Sequence, residues 1–267
     1  MIMIKKHSLR ISINLLILIL LISSCKEDNI LNKMVLSEVI FADSNIKYLF
    51  HYNSQGSIEK FEIYYEEELV QYYYYSYSRN AIDKVVKYEK SGSDFISPVS
   101  ELYIYDSKAR LIEKLISVNN STYSTSIVWL ENRISKLLYY TETKTLSSYD
   151  ELYYDLKGNI TKVYNYKINS NHEYLDKVIE YSHDSEINPL HEIAFPTWTF
   201  FGNLGETTSV NNITRTTEKQ NIDSDPYKVI DINYTYNNSG FPTNKMITTR
   251  IGSTILSSKI EFIYKII

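Results

Sequence analysis

An aromatic or large apolar residue, a second one two positions later, then a turn and Ile-x-Lys recur along this chain about every 26 residues. The first unit is Phe50 and Tyr52 followed by Ile58-Glu59-Lys60. Tyr75 and Tyr77 lead to Ile82-Asp83-Lys84, and Tyr103 and Tyr105 to Ile112-Glu113-Lys114. Ile127 and Trp129 precede Ile134-Ser135-Lys136, and Leu152 and Tyr154 precede Ile160-Thr161-Lys162. Further on, Ile179 and Tyr181 lead to Ile187, Ile213-Thr214-Arg215 stands without a clear aromatic half, and Tyr234/Tyr236 and Phe262/Tyr264 close the series. The anchors stand at 52, 77, 105, 129, 154, 181, 236 and 264, and the one long step of 55 is close to two periods. A fixed period of this length is a repeat architecture.

Each unit has the chemistry of a β-hairpin. Residues at i and i+2 of a strand share a face, so each pair lines one side of a sheet. Tyr, Ile, Val and Thr suit a pleated, half-buried surface. The Asn, Asp, Ser and Gly residues between halves supply turn geometry. The period predicts an all-β fold: an antiparallel meander of about eight to nine hairpin repeats. Some sixteen strands are too many for a flat sheet, so the meander should be curved or barrel-like. With 26 Tyr, 7 Gly, 5 Pro and one Cys in 267 residues, collagen-like and disulfide-framework classes are excluded.

The N-terminus reads as an address. Lys5, Lys6 and Arg10 precede the apolar run Leu15–Ile22, which is too short to cross a bilayer. Ile22-Ser23-Ser24-Cys25 resembles a bacterial lipobox, with Ile22 where the motif prefers Leu. The resemblance implies a lipoprotein signal at 1–24 and acyl chains, palmitate among them, on Cys25. Residues 25–40 would be the tether and 41–267 a single domain. Lys26, Glu27 and Asp28 resemble the surface-export signal of Bacteroidota-type lipoproteins, which implies an outer-membrane protein facing the cell exterior, the periplasmic leaflet being the alternative. Without residues 1–24 the chain holds 25 basic and 32 acidic residues, so nucleic-acid partners are not expected and membrane contact is expected through the lipid alone.

Tyr103-Ile104-Tyr105-Asp106-Ser107-Lys108-Ala109-Arg110-Leu111 resembles the YD repeat of Rhs and teneurin-type proteins, with Ala109 in a glycine position. With the lipobox, the chain resembles YD-like lipoproteins of unknown function from Bacteroidota. The resemblance implies a long curving sheet and names no ligand.

Residues 182–212 interrupt the period. Trp198, Phe200 and Phe201 could form an aromatic platform for a sugar ring or a partner protein. His172, His183 and His191, each followed by an acid, could be metal ligands. The plain alternative is a plug whose aromatics close the curved sheet. No nucleophile elbow, zinc-protease motif, Cys pair or phosphate loop is present, so no catalytic residue and no cofactor is expected. The expected function is a lipid-anchored binding or interaction protein of the envelope, with a glycan or an envelope protein as partner. The alternatives are a structural envelope lipoprotein and a hydrolase using His and acidic residues around 172–192.

Overall fold

A computed structural model describes residues 33–170, 172–194 and 204–267. The signal segment 1–24, Cys25 and Lys26-Glu27-Asp28 lie outside the described residues, as do Trp198, Phe200 and Phe201.

Sixteen strands form one antiparallel meander closed into a barrel. The first eight are β1 (Met34–Phe41), β2 (Ile46–Tyr52), β3 (Ile58–Tyr65), β4 (Glu68–Ser78), β5 (Ala81–Ser91), β6 (Asp94–Tyr105), β7 (Leu111–Val118) and β8 (Ser121–Leu130). The others are β9 (Arg133–Tyr140), β10 (Leu146–Tyr154), β11 (Ile160–Asn169), β12 (His172–Ile187), β13 (Asn211–Lys219), β14 (Lys228–Tyr236), β15 (Pro242–Ile251) and β16 (Thr254–Ile266). Two short helices, α1 (Pro189–Ala194) and α2 (Leu204–Thr208), lie between β12 and β13. Closure leaves no open sheet edge, which answers the hazard of a long meander. Residues 34–40, expected in the tether, instead form most of β1. The interruption is also narrower than expected, because β12 runs to Ile187 and β13 starts at Asn211.

The chain divides into two compact units. Val35–Lys265 is the barrel unit. In the other, among its described residues, the backbones of Lys33 and Ile267 exchange hydrogen bonds of 3.1 and 3.0 Å.

The repeat is visible in the strand register. Seven hairpins carry the same bulge beside their turn: the second aromatic position pairs with the first residue of the return strand, and the residue after that is the extra one. The pairs are Tyr52↔Ile58, Tyr77↔Ile82, Tyr105↔Leu111, Trp129↔Ile134, Tyr154↔Ile160, His183↔Ile213 and Tyr236↔Pro242. This register corrects two sequence alignments. In the third unit the first return residue is Leu111, not Ile112. The Asp106 carboxylate accepts the amides of Lys108 (2.8 Å) and Arg110 (3.0 Å), which ends the turn at Arg110. Lys114 thereby falls on the inward position that Phe61, Val85, Leu137 and Val163 hold in other hairpins. In the sixth unit the pair is Tyr181 and His183, and its return strand starts at Ile213. The long step was one period plus an insertion, not two periods.

Strands alternate in direction, so β1, the turns 53–57, 79–80, 106–110, 131–132, 155–159 and 237–241, and the insertion 188–210 share one end, here called the near end. Inward side chains from around the wall meet there in one hydrophobic cluster, from Leu36 and Phe50 through Val85, Leu137 and Tyr181 to Phe262. Phe61, Val85, Leu137 and Ile160 are fully buried. The far end is lined differently: Lys87 beside Glu89, Lys167 with Asp176 (3.0 Å) and Lys228 with Glu218 (2.6 Å).

Candidate functional site

The insertion 188–210 is held to the near end by polar groups. Asn159 and Asn211 clasp each other: the Asn159 amide nitrogen donates to Asn211 Oδ1 (3.0 Å), and the Asn211 backbone donates to Asn159 Oδ1 (2.8 Å). Asn188 Nδ2 donates to the Ser209 carbonyl at 2.8 Å. The Ile160 amide donates to Ser209 Oγ at 3.1 Å, and His183 Nε2 stands 3.1 Å from the same oxygen. His191 Nδ1 donates to the Thr208 carbonyl at 3.1 Å. Asp184 Oδ1 accepts the amides of Glu186 (2.9 Å) and Asn212 (3.2 Å), and its other oxygen takes the Tyr236 hydroxyl. Gly205 lies flat on the Tyr181 ring, where a Cβ would come within 2.6 Å of it. Leu190 packs against the barrel core.

This arrangement limits the chemistry. Ser209 beside His183 has the composition of a nucleophile and its base, but Ser209 is fully buried and its oxygen already accepts the Ile160 amide. A substrate carbonyl cannot reach it in this geometry. Burial holds the His183 imidazole below its usual pKa, against the opposing pull of Asp155 and Asp184.

The three histidines are not brought to one point. His172 opens β12 at the far end, and eleven residues of extended strand, roughly 36 Å, separate it from His183. His183 and His191 hold different atoms of the insertion. Among the described residues no three His, Cys, Asp or Glu side chains stand close enough to hold a metal ion.

The outer wall is charged around much of its girth. Glu62 pairs with Lys60 (2.5 Å) and His51 (2.8 Å), Lys136 with Glu151 (2.6 Å), and Glu180 with Lys162 and Lys219 (both 2.9 Å). Asp231 pairs with Arg215 (3.3 Å) and Arg250, and Lys259 with Glu261 (2.6 Å). A barrel wall that faces lipid carries an apolar band instead. Between these pairs stand tyrosines. In the run Tyr72–Tyr75, Tyr73 and Tyr75 point inward and are buried, while Tyr72 and Tyr74 point out. Tyr72 stacks on Tyr88 (centroids 4.7 Å apart), and Tyr149 stacks on Tyr166 at the same distance. Lys60 sits over the Tyr72 ring and Lys136 over the Tyr149 ring. These rings spend their faces on neighbours, as cross-strand pairs do.

Sequence reasoning missed the residues that fix the insertion: Asn159, Asn188, Ser209, Asn211 and Asn212. Their only signal was an Asn-rich stretch flanking the break in period. It also missed the buried ion pair inside the barrel, where Lys114 Nζ lies 3.3 Å from Glu101 and the Tyr103 hydroxyl donates to the same carboxylate.

No protein-family model matches the chain, and no curated protein matches it. Among solved structures it is similar to a porin-like protein from Bacteroides uniformis ATCC 8492: 12% identity, 86% of this chain and 96% of that one covered, TM-score 0.56. A porin-like protein from Bacteroides vulgatus ATCC 8482 aligns over 87% of this chain and 99% of its own at 13% identity, with a TM-score of 0.43. The first likeness establishes a shared barrel fold.

Proposed function

We propose that this protein is a lipid-anchored, non-conducting barrel of the bacterial outer envelope that works as a binding or interaction module. The observation that carries the reading is the combination of a near end filled by side chains with an ion-paired outer wall. A 16-stranded porin leaves a water channel inside and turns an apolar band to lipid. This barrel closes its interior with Phe61, Leu137 and Ile160 and presents Lys60, Glu151 and Arg215 outside. The barrel shared with a porin-like Bacteroides protein supports an envelope setting. The lipobox at Cys25 supports the anchor, Lys26-Glu27-Asp28 supports display on the cell exterior, and the hairpin period supports kinship with the YD-like lipoproteins.

The partner in this reading is a glycan or another envelope protein. The stacking of Tyr72 on Tyr88 and of Tyr149 on Tyr166 favours a second reading, a structural envelope protein with no small ligand. One set of measurements separates them. Protein reconstituted in planar bilayers should give no current steps, and discrete openings would sink the non-conducting reading. Thermal unfolding of the mature chain carrying Cys25→Ser, scanned against polysaccharides, should find a stabilising ligand. At one hundred times its dissociation constant a ligand adds about 2.7 kcal/mol. A flat response across the panel would leave the structural reading.

A further inference from the structure

We propose that the near end of the barrel rests on the lipid leaflet itself, with Leu130 and Leu156 in the headgroup layer and Arg79, Lys108 and Lys157 at its phosphates. The proposal deepens the lipoprotein reading and rests on it for the tether.

Three adjacent turns carry the argument. In the turn 155–159, Asp155 Oδ1 accepts the amides of Lys157 and Asn159 (both 2.9 Å), Asn159 Nδ2 donates to Asp155 Oδ2 (3.0 Å), and Gly158 takes the positive φ of 97°. Those three residues build the turn, and Leu156 takes no part in it. Its side chain is 99% exposed at a position where turns ordinarily place polar residues. One hairpin away, Leu130 is 70% exposed at the end of β8. The turns are tied in a row: Arg110 donates to the Glu131 carbonyl (3.4 Å), and Arg133 donates to the Asp155 carbonyl (2.8 Å). Two leucines are thus held outward on a braced edge.

Charge selects the occupant. The chain is acidic overall, yet the acids of this edge are mostly turned inward. The Asp106 carboxylate is taken by Arg110 (2.8 Å) and two backbone amides, and the Asp155 carboxylate by its own turn. Glu131 is the outward acid, against the exposed cations Arg79, Lys108 and Lys157. Apolar side chains ringed by Lys and Arg suit an anionic headgroup layer. The tether agrees with this orientation. The chain enters the barrel at Val35 on this end, and the ten residues from Cys25 span at most about 35 Å. The expectation that lipid contact runs through the acyl chains alone is therefore revised.

The test uses the acylated full mature chain in vesicles of phosphatidylcholine with phosphatidylglycerol. Acylation occupies the Cys25 thiol, so a nitroxide can be placed at Leu156→Cys or, at the far end, at Ser253→Cys. At 156, collisions with membrane-dissolved oxygen should exceed those with an aqueous nickel chelate several-fold, and at 253 the order should reverse. Water-like accessibility at both sites, with acyl chains present by mass spectrometry, overturns the docking and spares the anchor. If no acyl chain is found, the anchor reading falls and the docking is judged on the Cys25→Ser chain. Its sedimentation with these vesicles should weaken about tenfold in Leu130→Asn/Leu156→Asn with the circular dichroism unchanged. Equal binding by variant and parent overturns it.

Discussion

The Tyr105 hydroxyl donates to the backbone carbonyl of Ile82, 2.9 Å away and one hairpin back along the barrel. The same link recurs around the wall. Tyr52 reaches the Leu36 carbonyl (2.7 Å), Tyr77 that of Ile58 (2.6 Å), Trp129 Nε1 that of Leu111 (2.7 Å) and Tyr264 that of Pro242 (2.8 Å). In each case the acceptor is the residue where a return strand begins, beside the bulge. The aromatic at the end of one hairpin therefore pins the irregular point of its predecessor.

Removing one such hydroxyl should destabilise the barrel without changing its fold. Tyr105→Phe keeps the ring and loses the donor, leaving the Ile82 carbonyl short of a partner. The expected cost is about 1 kcal/mol. For a domain of this size that lowers the melting temperature by about 2–4 °C. Tyr77→Phe should behave alike, and urea unfolding followed by circular dichroism measures both. Neutral substitutions at both sites would mean that the rings alone, by packing, join the hairpins.

Alkaline titration probes the same links. Burial raises the Tyr77 and Tyr105 hydroxyls to about 12, with each other's charge adding at Tyr77 and Asp83 adding at Tyr105. A phenol raised above its ordinary value of about 10 favours the fold only while protonated. Its contribution is whole below pH 10 and is lost as pH rises toward 12. Absorbance at 295 nm should show exposed tyrosines ionising first, and these two ionising late, together with unfolding. Tyr105→Phe should remove one of the late groups.

The meander and its hairpin character were legible because alternation and turn chemistry are local. Phe50/Tyr52 and Tyr75/Tyr77 point inward from their own strands whatever the rest of the chain does. Closure was not legible, since no residue of β1 marks it as the neighbour of β16. The register of the third unit slipped because Leu111 and Ile112 are both apolar, and only the hydrogen bonds of Asp106 decide which one turns inward. His183 was missed as an anchor because it is not a hydrocarbon ring, although it fills the place of Tyr52 or Tyr154. The candidate site fared worse: Asn159 and Asn211 lie 52 residues apart, and no periodicity announces their pairing.

Glu101 and Lys114 make a second prediction about the interior. Both are buried, and burial holds the Lys114 amine below its ordinary pKa against the pull of Glu101. Lys114→Leu restores the residue type of the other hairpins but strands the Glu101 carboxylate. It should cost about 3–5 kcal/mol. Glu101→Leu should cost a similar amount by stranding the amine. The triple change Lys114→Leu, Glu101→Leu and Tyr103→Phe, which also removes the hydroxyl bonded to that carboxylate, should recover most of the loss. Urea midpoints for the set give the coupling directly. Additive losses would show that the pair is solvated enough to be independent.

His183 should make the anchoring of the insertion sensitive to mild acid. Its Nε2 faces Ser209 Oγ, the Ile160 amide donates to that same oxygen, and the charged groups acting on the ring are Asp155 and Asp184. Burial is the largest influence and lowers the folded-state pKa below the unfolded value of about 6.5. Below pH 6.5 the unfolded chain therefore takes up this proton more readily than the folded one, so stability falls as the pH drops toward the folded value. Asp155, held below its ordinary pKa by the hydrogen bonds of its turn, weakens the fold only at lower pH, so a series from pH 7.5 to 5 isolates the histidine. His183→Gln keeps a hydrogen-bonding side chain but cannot titrate. Its urea midpoint should be flatter than the parent's across that range, and hydrogen exchange at the amides of Ile160 and Asn211 should stop accelerating with acid. Parallel pH profiles for parent and variant would show that the imidazole is not the group that couples the insertion to pH.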